Sequence, residues 1–191
     1  MVAIARGGRF WREGPGGDRG AMAMTTQVMQ RLAVIVFGLF PAIWGLLGLL
    51  NDVTDFTDTA QNAVKPMIEM TNTYGNPWQT LRAIKFAWAP DVALIAIMAA
   101  EGIAGLLATI GVIIMLARLA GLPEDFARGK AWMVAGALVA VLVWGVGFMV
   151  IAGDWFLAWE ASTNPLNTQL GAMVYFLPCA LAVIVAMLHR E

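Results

Sequence analysis

Residues 91–116 read DVALIAIMAAEGIAGLLATIGVIIML, and after Asp91 the only charged side chain in the run is Glu101. At a rise of about 1.5 Å per residue, about twenty apolar residues cross a hydrocarbon core of roughly 30 Å. The stretch therefore reads as a transmembrane helix over residues 92–116 with one carboxyl group near its middle.

Three more runs of the same kind lie around it. Arg31 to Leu50 (RLAVIVFGLFPAIWGLLGLL) carries no charge after its arginine. It is long for a cleaved signal peptide, and Leu49-Leu50-Asn51 lacks the small-x-small cleavage pattern, so it is read as an uncleaved span. Residues 132–153 and 170–188 complete the set. The composition agrees: of 191 residues, 60% are hydrophobic and 13% charged, which excludes an ordinary soluble globule. The net charge of −1 gives no field to attract nucleic acid, and no basic patch interleaved with aromatics appears. The expected partners are the lipid bilayer and other membrane subunits or further copies of the chain, with no nucleic acid.

The expected fold is all-α, an integral membrane four-helix bundle with a long first external loop carrying short interfacial helices. Met1 to Gly20 holds four arginines among many glycines and no apolar periodicity, so residues 1–24 are expected to be a disordered or mis-called tail, with Met22 or Met24 as candidate starts. Residues 25–191 form the membrane domain. Asn51 to Pro90 is polar and acidic and must lie outside the hydrocarbon. Within it, Asn76-Pro77-Trp78-Gln79 has the form of a helix start, with an N-cap, proline at the first position and glutamine at the capping-box position. Trp78, Leu81, Ile84 and Trp88 then follow on one side at helical spacing. Such a helix either rests in the membrane interface or packs on the other half of its loop.

Lysine and arginine near the span ends give the orientation. Arg31, Arg118, Arg128, Lys130 and Arg190 fall on one side. Lys65, Arg82 and Lys85 fall on the other, diluted over a longer loop rich in carboxylates. Both termini are expected to be cytoplasmic.

Counting inward from the outer ends puts Pro41, Glu101, Trp144 and Pro178 at similar depth, with Tyr175 about a turn nearer the outer surface. Each proline leaves a carbonyl without its helical partner, and the Trp144 indole is a donor. An acid at a helix centre costs roughly 2.5 to 3.5 kcal/mol on insertion scales. It should face the bundle and stay protonated. A proton or cation step, or contact with a charged helix of another subunit, is one reading of Glu101. A neutral acid tying helices together is the other, and it is favoured because no second carboxylate and no lysine or arginine is seen nearby. Ala100, Ala104 and Ala108, with Gly105, form a small-residue stripe that should pack closely on a neighbour.

Other chemistry is thin. His189 is the only histidine and Cys179 the only cysteine, which leaves no bis-histidine haem, intrachain disulfide or cysteine metal cluster. No phosphate loop, nucleophile elbow or HExxH pattern is present. Asp52, Asp55 and Asp58 would share a helical face, but the glycine and bidentate glutamate of a calcium loop are missing. No cofactor, metal or catalytic residue is expected.

Asn51-Asp52-Val53-Thr54-Asp55-Phe56, Glu101 in the second span and Gly153-Asp154-Trp155-Phe156-Leu157-Ala158-Trp159-Glu160 together resemble a bacterial family of predicted small integral membrane proteins grouped as a domain of unknown function. The resemblance covers roughly residues 30 to 188. It implies four spans, a location in the bacterial inner membrane and no established activity. It also implies an external-loop surface of Asn51, Asp52, Thr54, Asp55, Asp154, Trp155, Phe156 and Trp159. Pro66 and Thr71 stand where the family tends to carry histidine and aspartate, so a family metal or cofactor site there would not be kept. The leading functional expectation is a non-catalytic accessory subunit or assembly factor of a larger membrane complex. The alternative is a small proton- or cation-coupled transporter or channel using Glu101. A haem or quinone protein ranks last.

Overall fold

The apolar runs all become helices. In the computed structural model, which describes residues 16–162 and 167–190, α1 spans Gly16–Thr54, α5 Ala89–Ala117, α6 Pro123–Val141 and α7 Thr168–Leu188. The third span continues beyond α6 as a π-helical segment, Leu142–Trp155, closed by bonds of the Phe156-to-Ile151 kind. Four of these helices are long and apolar enough to cross a membrane. Among the described residues there is no strand.

The bundle is built inside out relative to a soluble one. Its centre is filled by alanines: Ala104, Ala108, Ala137, Ala140, Ala182 and Ala186 are all fully buried. Large aliphatic side chains such as Ile43, Leu47, Ile103, Ile113, Val146 and Val174 point outward. Lipid tails give helices no hydrophobic reason to associate, so close approach of backbones through small residues takes that role. Gly45 of α1 meets Gly105 of α5, where a β-carbon would stand 2.5 Å from the Gly105 amide. Gly136 of α6 meets Ala104 and Ala108 in the same way. The alanine stripe of the second span is thus used within the chain.

Arg31 locks one end of the bundle. Only 2% exposed, it donates from Nη1 to the carbonyls of Leu119 at 2.9 Å and Gly121 at 2.8 Å. It also lies 4.8 Å from the centre of the Phe126 ring. These carbonyls follow the last turn of α5 and have no helical partners, so a cation is well placed there. Lys130 likewise donates to the His189 carbonyl at 3.0 Å. The basic residues of the two ends and of the turn between α5 and α6 therefore share one end of the bundle.

At the other end, the first long loop folds over the spans as three short pieces: α2 (Phe56–Asp58), a π turn (Thr59–Val64) and α3 (Lys65–Ile68). Ala60, Val64 and Ile68 pack there with Leu94, Phe156 and Leu157.

The structure corrects several boundaries. Helix α1 runs to Thr54 rather than stopping at Leu50, and it begins at Gly16, within the stretch read as a tail. Residues 1–15 lie outside the described part. The third helix starts at Pro123 rather than at residue 132, with Glu124 and Asp125 in its first turn. Asn76 does cap a helix, its Oδ1 accepting from the Trp78 amide at 3.0 Å, but that helix, α4 (Pro77–Thr80), is a single turn. Trp78, Leu81 and Trp88 are exposed, with Trp88 stacked on Phe86, while the Ile84 amide donates to the Ile68 carbonyl at 2.8 Å and ties this stretch to the loop's other half.

Candidate functional site

Each span turns one stripe of residues toward a common cavity of about 200 Å³ at the loop-covered end. From α1 it is Asp52, which shares a face with Gly48 and Trp44 at i−4 and i−8. From α5 it is Leu94, Ile97 and Glu101. The third span gives Trp144 and Phe148, and α7 gives Thr168 and Ala172. Thr59, Ala63, Val64 and Met67 of the folded loop cover it. Among the lining residues, none is basic.

The polar groups are few and costly. Glu101 is 5% exposed and Trp144 6%. Glu101 Oε2 and the indole Nε1 of Trp144 are buried without hydrogen-bond partners. Unsatisfied polar atoms in such surroundings cost several kcal/mol each where water and lipid headgroups cannot reach. Asp52 stands beside Glu101, the two carboxyl groups close enough to interact directly. Two carboxyls this close cannot both ionise without a cation or a shared proton.

Trp144 and Phe148 bring an aromatic cluster to the cavity wall. Trp144 stacks on Tyr175 with ring centres 4.5 Å apart and on Phe148 at 4.5 Å, and Trp44 meets Trp144 edge to face at 5.3 Å.

The expected polar layer is therefore partly rebuilt. Glu101 and Trp144 line one cavity, and Tyr175 stacks on Trp144 without lining it. Pro41 and Pro178 do not line the cavity. Gly48, not Pro41, faces the Glu101 carboxyl, which puts Pro41 about 10 Å further along α1 at 1.5 Å per residue. The absence of a second carboxylate near Glu101 is overturned by Asp52. The sequence reading placed Asp52 on an external surface because it ended the first helix too early; one further turn carries it onto the face of Gly48.

The remaining external-loop residues do join two loops. Arg82 lies over the Trp155 ring at 5.2 Å, Tyr74 meets Trp159 edge to face at 6.0 Å, and the Tyr74 amide donates to Glu160 Oε2 at 3.1 Å. Phe156 is buried beneath them, and Asp154 accepts from Gln169 at 3.2 Å. Thr54 bonds back to the carbonyls of Leu50 and Asn51, while Asn51 and Asp55 are exposed. The departures Pro66 and Thr71 touch each other, the Thr71 amide donating to the Pro66 carbonyl at 3.2 Å. Among the described residues no three histidine, cysteine, aspartate or glutamate side chains are grouped to hold a metal ion.

Fold and site together define a small helical protein of the membrane, four spans around a polar cavity with an acidic pair. Over residues 30–189 the chain matches the family described as predicted small integral membrane protein (DUF2165), and it belongs to that family. Comparison with curated proteins and with solved structures gave no match.

Proposed function

We propose that this protein binds a cation or proton at the Asp52–Glu101 pair and serves as a small cation- or proton-coupled transporter or channel. The observation that carries this reading is the second carboxyl. A lone buried acid is satisfied as a neutral hydrogen-bonding group, whereas two facing carboxyls in a cavity without a basic side chain make a site whose charge depends on what enters it. The unpartnered Glu101 Oε2 supports the same reading. Four spans enclose little room for a path, so passage along the cavity involves either movement of the covering loop or association of copies. The gathering of Arg31, Arg118 and Lys130 at one bundle end supports an orientation with both termini in the cytoplasm of a bacterium and the acidic pair toward the outside.

The test is flux in proteoliposomes with an entrapped pH-sensitive dye and an imposed diffusion potential. Wild-type protein should give flux that Glu101→Gln removes. Equal flux in that variant, or none above protein-free vesicles, sinks the reading.

A second reading, an accessory subunit of a larger complex, rests on a different observation: Tyr74, Trp78, Leu81 and Trp88 form an exposed aromatic and apolar surface on the external loops. It is tested by purification in mild detergent, where the accessory role requires a stoichiometric partner.

A further inference from the structure

The acidic cavity shares its apolar wall with a second space. Met67, Ile97 and Phe148 also line a second, larger space of about 380 Å³, within the range of roughly 300–1,000 Å³ usual for small-ligand sites. This groove opens between α5 and the third span. Where α6 crosses α5, glycines and alanines bring the backbones together, but the π-helical continuation parts from α5. Ala93, Ala96 and Ala100 on one side and Gly147 on the other leave the gap unfilled, and its lining is wholly apolar. The two spaces thus adjoin across Met67, Ile97 and Phe148, one holding the carboxyls and the other lined by apolar side chains.

We propose that one occupant fills both spaces, a single-chain amphiphile whose head is an ammonium group bearing a hydroxyl and whose chain passes the shared wall. The inference rests on the cation-site reading above and names the class of ligand that the site takes. The ammonium hydrogens suit Asp52 and the unpartnered Oε2 of Glu101, and the head's positive charge is what two facing carboxyls require. A phosphate or carboxylate head is excluded by the same pair. The hydroxyl oxygen is an acceptor for the Trp144 Nε1 hydrogen, which has no partner in the protein. The alkyl chain lies in the groove past Phe148 and Ile97, entering sideways from the bilayer. A short inorganic cation would satisfy the carboxyls but would leave both the indole and the groove unused.

The test is equilibrium binding to the protein in nanodiscs of phosphatidylcholine, with N-dodecylethanolamine as probe and ethanolamine, dodecylamine and dodecanoate as comparisons. Wild-type protein should bind the probe saturably and at least tenfold more tightly than ethanolamine or dodecanoate. It should also prefer the probe to dodecylamine by about fivefold, the worth of one ordinary hydrogen bond. Trp144→Phe keeps the ring and should erase that preference alone. Gly147→Leu, where a side chain enters open space on the third span, fills the groove and should weaken the probe at least tenfold and leave ethanolamine unchanged. The wild-type chain-length comparison stands even if a variant fails to fold. Ethanolamine binding as tight as the probe and dependent on Glu101 overturns the amphiphile and leaves the cation site standing. Dodecanoate binding as well as the probe overturns it too. Failure of every amine to bind, with flux that ignores Glu101→Gln, overturns both.

Discussion

Gly48 lies against Glu101: a β-carbon on Gly48 would stand 2.9 Å from Oε2 and 3.1 Å from Cδ. Gly45, one turn earlier, meets the backbone of Gly105 instead, at 2.5 Å from its amide nitrogen. The two glycines therefore answer differently to alanine. At Gly48 the obstructing atoms are the tip of a side chain with a cavity beside it, so Gly48→Ala should cost less than about 1 kcal/mol of stability while moving the carboxyl and altering cation binding. At Gly45 helix backbones must separate, and Gly45→Ala should cost about 1–3 kcal/mol. Denaturant titration in micelles reads both, and equal, small losses would show that the close crossing of α1 and α5 is wrong.

Much of this was legible in the chain. The four apolar runs and the inward direction of Glu101 follow from hydropathy and from the cost of a charge in lipid, and both hold in the structure. What hydropathy does not report is where a helix stops. After Leu50 the segment Asn51-Asp52-Val53-Thr54 contains no glycine or proline, so α1 continues beyond its apolar part and Asp52 reaches the cavity. Of the alanine stripe, Ala104 and Ala108 form the packing face and Ala100 lines the groove instead. That its neighbour would be α6, through Gly136, is a matter of tertiary register that no local pattern carries.

Arg31 should prove the strongest tie at its end of the bundle. Its guanidinium serves the Leu119 and Gly121 carbonyls and covers the Phe126 ring, and hydrogen bonds involving a charged group are worth about 1.5–3 kcal/mol. Arg31→Ala should lower stability by about that amount. Arg31→Lys should recover only part of it, because an ammonium on a shorter stem does not reproduce the planar fork over the ring. Thermal unfolding of the three proteins in the same detergent checks the order, and a lysine variant as stable as wild type would refute it.

Asp52 and Glu101 should behave as one unit. If the pair shares its proton or cation, then Asp52→Asn and Glu101→Gln each remove most of the flux or binding, and the double variant is hardly worse than either single one. Independent groups would give losses that multiply. A double-mutant cycle on cation binding measures this directly, and an interaction energy within about 0.5 kcal/mol of zero, the range expected for independent sites, would separate the two residues functionally.

The orientation can be read with thiol labelling, because the sequence contains a single cysteine and it is buried: Cys179 is wholly enclosed with Ala104 and Ala140. A cysteine introduced at Tyr74, which is 77% exposed on the first loop, is then the only accessible thiol. With the basic end of the bundle inward, Tyr74→Cys should react with a membrane-impermeant maleimide added to intact spheroplasts. A cysteine at exposed Glu124, in the first turn of α6 at the opposite end, should react only after the membrane is opened. The reverse pattern would put the acidic pair on the cytoplasmic side. It would also reverse the direction from which a cation reaches Glu101, because the covered cavity lies beneath the Tyr74 loop and not beneath the turn that Arg31 holds.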